Sequence, residues 1–118
     1  MNINNIHNVY FIGIGGIGMS ALARYFVANG KIVAGYDKTK TDITEALVDL
    51  GVKVHFEDSV NNITAPFLNA ETTLVIYTPA VPKDHKELNF FKNNNYEVLK
   101  RSTVLGEITK NTFCQCYY

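Results

Sequence analysis

Phe11-Ile12-Gly13-Ile14-Gly15-Gly16-Ile17-Gly18-Met19-Ser20-Ala21 closes a continuous apolar run and opens a stretch with helical hydrophobic spacing. That is the setting of a glycine-rich turn between a buried strand and a helix. In such a turn Gly13 permits the tight bend, Gly15 lets the backbone approach an anion, and Gly18 lets the helix pack closely on the strand. The helix N-terminus offers unpaired N–H groups and a partial positive charge, so it can hold a diphosphate without a lysine. Asp37 follows about 20 positions on, at the end of the next apolar run, where a ribose-reading carboxylate belongs. A tight turn with no ligand would share the glycines. The strand before it, the helix after it and the acidic partner favour a nucleotide-phosphate site, without saying which nucleotide.

Outward from that turn, strands and helices alternate. Asn8 to Ile14 reads as a buried parallel strand, and Ile17 to Asn29 as a helix whose inner face is Met19, Leu22, Ala23, Phe26 and Val27, stopped by Gly30. Lys31 to Tyr36 is a second strand. Asp42, with Glu45 three positions on, reads as the cap of a helix that turns Leu47 and Leu50 inward and ends at Gly51. Val52 to Phe56 is a short third strand, and Glu57 to Thr73 a polar connection with at most one helical turn. Leu74 to Tyr77 is a fourth strand leading into Thr78-Pro79-Ala80-Val81-Pro82. Asp84 reads as the cap of a helix through Leu88 and Phe91, ended by Asn93-Asn94-Asn95. Glu97 to Leu99 is a fifth strand, Ser102 opens a helix with Leu105 and Ile108, and Thr112 to Tyr118 looks extended.

This order predicts a single α/β domain over residues 1–118, a Rossmann-like parallel sheet with helices on both faces and right-handed crossovers. Ligands of such sheets bind beyond the carboxyl ends of the strands, at the switch point. Three loops should meet there: Gly13 to Met19, the segment after Asp37, and Thr78 to Val81. A proline after a strand often only ends it, yet small residues at Thr78-Pro79-Ala80 also suit a wall against a base or sugar.

The 118 residues suffice for one modest core, and 47% hydrophobic against 19% charged is an ordinary globular balance. Eleven basic and eleven acidic side chains cancel, which argues against a nucleic-acid surface. No apolar run nears the roughly 20 residues of a membrane span, and Met1 to Asn5 lacks the features of a signal peptide, so a cytoplasmic protein is expected. Cys114 and Cys116 lack a second ligand pair and read as buried strand residues. His7, His55 and His85 show no ligand spacing and read as loop or strand-edge residues.

The glycine turn with its Met19-Ser20-Ala21-Leu22-Ala23 continuation, Gly35-Tyr36-Asp37, Val75-Ile76-Tyr77-Thr78-Pro79-Ala80-Val81 and Leu99-Lys100-Arg101-Ser102 together resemble the N-terminal domain of the Mur ligases of peptidoglycan synthesis. The likeness is to the branch that adds L-alanine to UDP-N-acetylmuramate, and it covers nearly the whole chain. It implies that Gly15, Gly16, Ile17, Gly18, Met19 and Ser20 hold the diphosphate of UDP-N-acetylmuramate. It also puts Asp37 at the uridine end, with Thr78, Pro79 and Ala80 lining the same pocket. In that family a second domain binds ATP through a P-loop and a third admits the amino acid. ATP activates the lactyl carboxylate as an acyl phosphate, which the amine of L-alanine attacks while Mg2+ offsets phosphate charge.

Two departures accompany the resemblance. Glu57-Asp58 stands where members often carry Gly-His, so the role of that histidine does not transfer. No G-x-x-x-x-G-K-S/T occurs in the chain, so the expectation is a domain that holds UDP, binds no cofactor itself and is inactive alone. ATP, Mg2+ and L-alanine would enter through further domains. An NAD-binding module of a dehydrogenase or regulatory subunit fits the turn and Asp37 equally well. The Met19-Ser20 continuation and the lack of a catalytic His/Lys constellation stand against it. A scaffold that binds nothing would need a vacant turn and a large exposed apolar patch.

Overall fold

The structure is a computed structural model that describes residues 5–111, with side chains through residue 108. Five parallel strands lie in the order β3-β2-β1-β4-β5. They are β1 (Asn8–Ile12), β2 (Ile32–Tyr36), β3 (Lys53–His55), β4 (Thr73–Tyr77) and β5 (Glu97–Lys100). The helices are α1 (Ile17–Ala28), α2 (Asp42–Asp49), α3 (Lys86–Asn93) and α4 (Arg101–Asn111). The chain winds outward from β1 to β3, returns to β4 on the other side of β1, and so leaves its switch point between β1 and β4.

Strand alternation sorts the core into two layers. Val9, Phe11, Val33, Leu74 and Ile76 pack with Leu22 and Phe26 of α1, Leu47 of α2 and Val104 of α4. Tyr10, Ile12, Ala34 and Val75 face the other way, onto Leu88 and Phe91 of α3 and onto Ile63 and Phe67. All five residues of β1 are buried, as a strand covered on both faces requires. Burying each large apolar side chain of this kind stabilises the fold by roughly 1.5–3 kcal/mol.

The expected sheet and its five strands are present, and the differences are local. β1 stops at Ile12 because Gly13 adopts φ +94° and the Gly13 and Ile14 N–H groups both donate to Tyr36 O, at 2.8 and 2.9 Å. α2 is capped by Thr41, not by Asp42. The Thr41 hydroxyl accepts from Thr44 N while Thr44 Oγ1 accepts from Thr41 N, so two otherwise orphaned donors are satisfied reciprocally. Leu50 is 49% exposed, because it is the C-cap and lies past the last helical residue. The connection after β3 holds two 3-10 turns, Val60–Asn62 and Ala65–Leu68. The second buries Phe67 and is tied to β1 by Asn8 Nδ2, which donates to Pro66 O at 2.7 Å. α3 is capped by His85 rather than Asp84, and α4 starts at Arg101, one residue before Ser102. Thr112 to Tyr118, with Cys114 and Cys116, lie outside the described residues.

Candidate functional site

The glycine turn, the end of β2 and the loop after β4 converge on a cavity of about 390 Å³ at the carboxyl ends of the strands. This is the predicted crevice, beside the switch point between β1 and β4. Gly13 is required there twice over. Its φ is +94°, and a Cβ would overlap Thr78 Cγ2 from the neighbouring loop. Gly16 is the extended N-cap of α1, and the first turn carries neither a capping side chain nor an acidic residue. The N–H groups of that turn are therefore left for something outside the helix to satisfy.

Gly15 is small for a reason the sequence did not show. Its N–H donates to Asp37 Oδ2 at 2.7 Å, and a Cβ would stand 2.6 Å from that oxygen. Asp37 Oδ1 accepts from Thr39 N at 3.0 Å. Asp37 thus lines the cleft while both its oxygens hold backbone, one of the glycine turn and one of its own loop. Gly18 differs from expectation too. A Cβ there would lie 2.8 Å from Arg101 Nη1, so the third glycine makes room for the side chain that begins α4 and not for a strand.

Of the expected site residues, Gly13, Gly16, Met19, Asp37, Thr78 and Ala80 form the cavity wall. Gly15 lies against Asp37, and Gly18 lines a separate cavity with Arg101. Ile17 is 82% exposed at the mouth of the turn, and Pro79 lies beside Thr78. Ser20 is buried, and its hydroxyl donates back to Ile17 O at 2.9 Å. The wall also includes Tyr36, Lys38, Thr39, Val81, Pro82 and His85. Lys38 and Thr39 fall in the segment after Asp37, one of the three loops expected to converge here. His85 has no signal in its spacing, since what places it is the return of α3 across the sheet.

Behind this wall runs a buried polar network. Glu87 is fully buried, and its Oε1 accepts from the Tyr10 hydroxyl at 2.6 Å. Its Oε2 lies 2.8 Å from His55 Nε2 and accepts from Ser59 N at 3.1 Å. Asp58 accepts from the first N–H groups of α3, Lys86 N at 2.8 Å and Glu87 N at 3.0 Å. A carboxylate at a helix N-terminus also meets the favourable end of the helix dipole. Burial first, then the hydrogen bond and charge of Glu87, push the Tyr10 phenol far above its usual range. Burial, then the Asp58, Asp37 and Glu87 carboxylates, push the Tyr36 phenol up as well. The tyrosine in the cleft wall therefore stays a neutral hydroxyl. His55, at the end of the edge strand β3, and His85, in the loop before α3, sit where a strand-edge and a loop residue were expected, and both border this network.

Among the described residues no group of three His, Cys, Asp or Glu side chains could hold a metal ion, and no helix is long and apolar enough to cross a membrane.

The family described as Mur ligase family, catalytic domain, matches residues 8–112. The chain is 60% identical over 114 residues to a UDP-N-acetylmuramate–L-alanine ligase of Flavobacterium psychrophilum, covering 97% of this chain and 25% of that protein. A crystal structure of a UDP-N-acetylmuramate–alanine ligase from Thermotoga maritima matches at TM-score 0.78 and 33% identity, over 88% of this chain and 23% of that one. A UDP-N-acetylmuramate:L-alanyl-gamma-D-glutamyl-meso-diaminopimelate ligase from Neisseria meningitides matches at TM-score 0.73, over 86% of this chain and 31% of that one. At 19% identity the latter speaks for the fold alone. The chain spans about a quarter of the length of the curated relatives it matches. With the glycine turn, the five-stranded parallel sheet and the match over residues 8–112 in agreement, this chain belongs to the Mur ligase family.

Proposed function

We propose that this domain holds the UDP part of UDP-N-acetylmuramate for a cytoplasmic ligase that joins L-alanine to that sugar in peptidoglycan synthesis. The observation that carries the reading is the uncapped first turn of α1, opening onto a cavity of about 390 Å³ in a chain 60% identical to such a ligase. The N–H groups from Ile17 to Met19 would take the diphosphate, as helix N-termini take anions, with Gly16 N already donating to Gly13 O. Gly13 and Gly15 shape the turn, Gly18 sets α1 against Arg101, and Ile17 and Ser20 complete its first turn. Thr78, Pro79 and Ala80 would bound the sugar or base from the β4 side. Asp37 would act by holding the turn and loop that face the nucleotide. Lys38, exposed at the cleft edge, adds a cation to the wall.

The residues present do not fit ATP or Mg2+. The chain has no P-loop lysine motif, and its described residues offer no acidic cluster for a metal. ATP, Mg2+ and L-alanine are therefore assigned to the rest of a full-length ligase. Neither nucleic acid nor a membrane surface is proposed as a partner.

Calorimetric titration of the 118-residue chain with UDP-N-acetylmuramate, UDP and NAD tests the reading. UDP compounds are expected to saturate the site at lower concentration than NAD. The reverse order would make this an NAD-binding module.

A further inference from the structure

We propose that the Tyr36 hydroxyl donates a hydrogen bond to an uncharged oxygen of the nucleoside, a base carbonyl or a ribose hydroxyl, and so adds a specificity contact to the cleft. The inference rests on the nucleotide reading above and says which side chain meets the nucleoside half of the ligand. Tyr36 is the last residue of β2, half-buried, and lines the cavity at the carboxyl end of that strand. Asp37 beside it stands where sheets of this kind place a carboxylate to read the ribose. Here both Asp37 oxygens already hold backbone N–H groups, Gly15 at 2.7 Å and Thr39 at 3.0 Å. The adjoining hydroxyl is not so engaged.

The Tyr36 hydroxyl has no hydrogen-bond partner among the described residues, and it is not enclosed, since the buried side-chain polar atom without a partner among them is His85 Nε2. Tyr10, on the same face of the sheet, is the contrast. It is buried, and its hydroxyl donates to Glu87 Oε1 at 2.6 Å. The Tyr36 ring is supported from its sides, edge-on against His85 with centroids 4.6 Å apart and tilted against His55 at 5.9 Å. A ring held in this way gives up little freedom when a ligand arrives, so a hydrogen bond from it keeps most of its strength.

The charges around the hydroxyl decide which part of the ligand it meets. Burial first, then the Asp58, Asp37 and Glu87 carboxylates, raise the phenol above its ordinary range, so it keeps its proton to donate. A phosphate oxygen brought to the same place would face those three carboxylates, and like charges repel there. An uncharged oxygen meets no such penalty. The first turn of α1 is the opposite case, with free N–H groups and no acidic residue, and suits the diphosphate. The rest of the wall near Tyr36 includes Ala80, Val81 and Pro82, an apolar surface fit for a nucleoside.

The test titrates UDP, 2′-deoxyuridine diphosphate and inorganic pyrophosphate into the chain and into Tyr36→Phe. Phenylalanine keeps the ring and its contacts with His85 and His55 and removes only the hydroxyl, so the thermal midpoint should hold. Tyr36→Phe is expected to bind UDP about fivefold more weakly, the scale of one hydrogen bond, and to hold pyrophosphate unchanged. A parent preference for UDP over the deoxy compound that vanishes in Tyr36→Phe supports the inference and names the 2′-hydroxyl as the acceptor. An equal loss for both nucleotides supports it and puts the acceptor elsewhere on the nucleoside. Unchanged UDP affinity in Tyr36→Phe, or a loss shared equally by pyrophosphate, overturns this inference alone. A parent chain that binds neither UDP nor pyrophosphate overturns the proposed function, and this inference with it.

Discussion

Gly15 N donates to Asp37 Oδ2 at 2.7 Å, joining two residues 22 positions apart. The bond closes the glycine turn onto the end of β2, and Asp37 spans the gap because its other oxygen holds Thr39 N. The carboxylate serves as a brace of the cleft as much as a face of it. Asp37→Ala is therefore expected to weaken pyrophosphate and UDP in the same proportion and to lower stability by about 1–3 kcal/mol. Titration of both ligands with a denaturation curve checks this. Loss confined to UDP would mean that Asp37 contacts the nucleoside directly.

Gly13 faces Thr78 across the switch point, and two separate costs follow from adding a methyl group there. The backbone sits at φ +94°, and the new Cβ would overlap Thr78 Cγ2. Gly13→Ala should destabilise the domain by about 2 kcal/mol or more. Adding Thr78→Ser removes the overlapping methyl and should recover part of the loss, leaving the backbone strain. Complete recovery in the double variant, measured by thermal unfolding, would show that the positive φ costs nothing.

Glu87 carries three hydrogen bonds inside the protein. Glu87→Ala strands Ser59 N and leaves the Tyr10 hydroxyl and His55 Nε2 with only each other, 3.0 Å apart, and a loss on the order of 3 kcal/mol is expected. Glu87→Gln keeps the shape and one acceptor and should lose less. Equal denaturation midpoints for the two variants would contradict the network.

Tyr10 sets an alkaline limit. Burial and Glu87 raise its phenol well above the ordinary value of 10.0, and Tyr36 and Tyr96 are raised as well, burial being the first cause for each. The unfolded chain releases these protons near pH 10 while the folded chain keeps them. The titration of Tyr10 thus leaves stability unchanged below about pH 10 and lowers it above, by up to about 1.4 kcal/mol per pH unit for this residue. Tyr10→Phe should be less stable at neutral pH, through the donor lost to Glu87, yet show a shallower alkaline decline. An equally steep decline in both chains, followed by urea denaturation at successive pH values, would refute the assignment.

The sequence by itself determined the parallel sheet, its five strands, the glycine turn and the family. The sheet, strands and turn rest on local periodicity and on glycine steric demands, which adjacent residues encode, and the family on the resemblance of the quoted motifs. Gly30 and Gly51 end α1 and α2 at φ +77° and +97° as their positions foretold. The convergence of the turn, the segment after Asp37 and Thr78 to Val81 also follows from strand order alone. The caps were less legible, because Thr41 and Asp42, or Asp84 and His85, are adjacent and backbone geometry chooses between them. Only the tertiary structure decided that Gly15 yields to Asp37 and Gly18 to Arg101, and that His85, Asp58, Glu87, His55 and Tyr10 meet. Those contacts join α3, β3, β1 and α4 across the sheet. Their partners are set by how the elements pack, and no spacing along the chain records it.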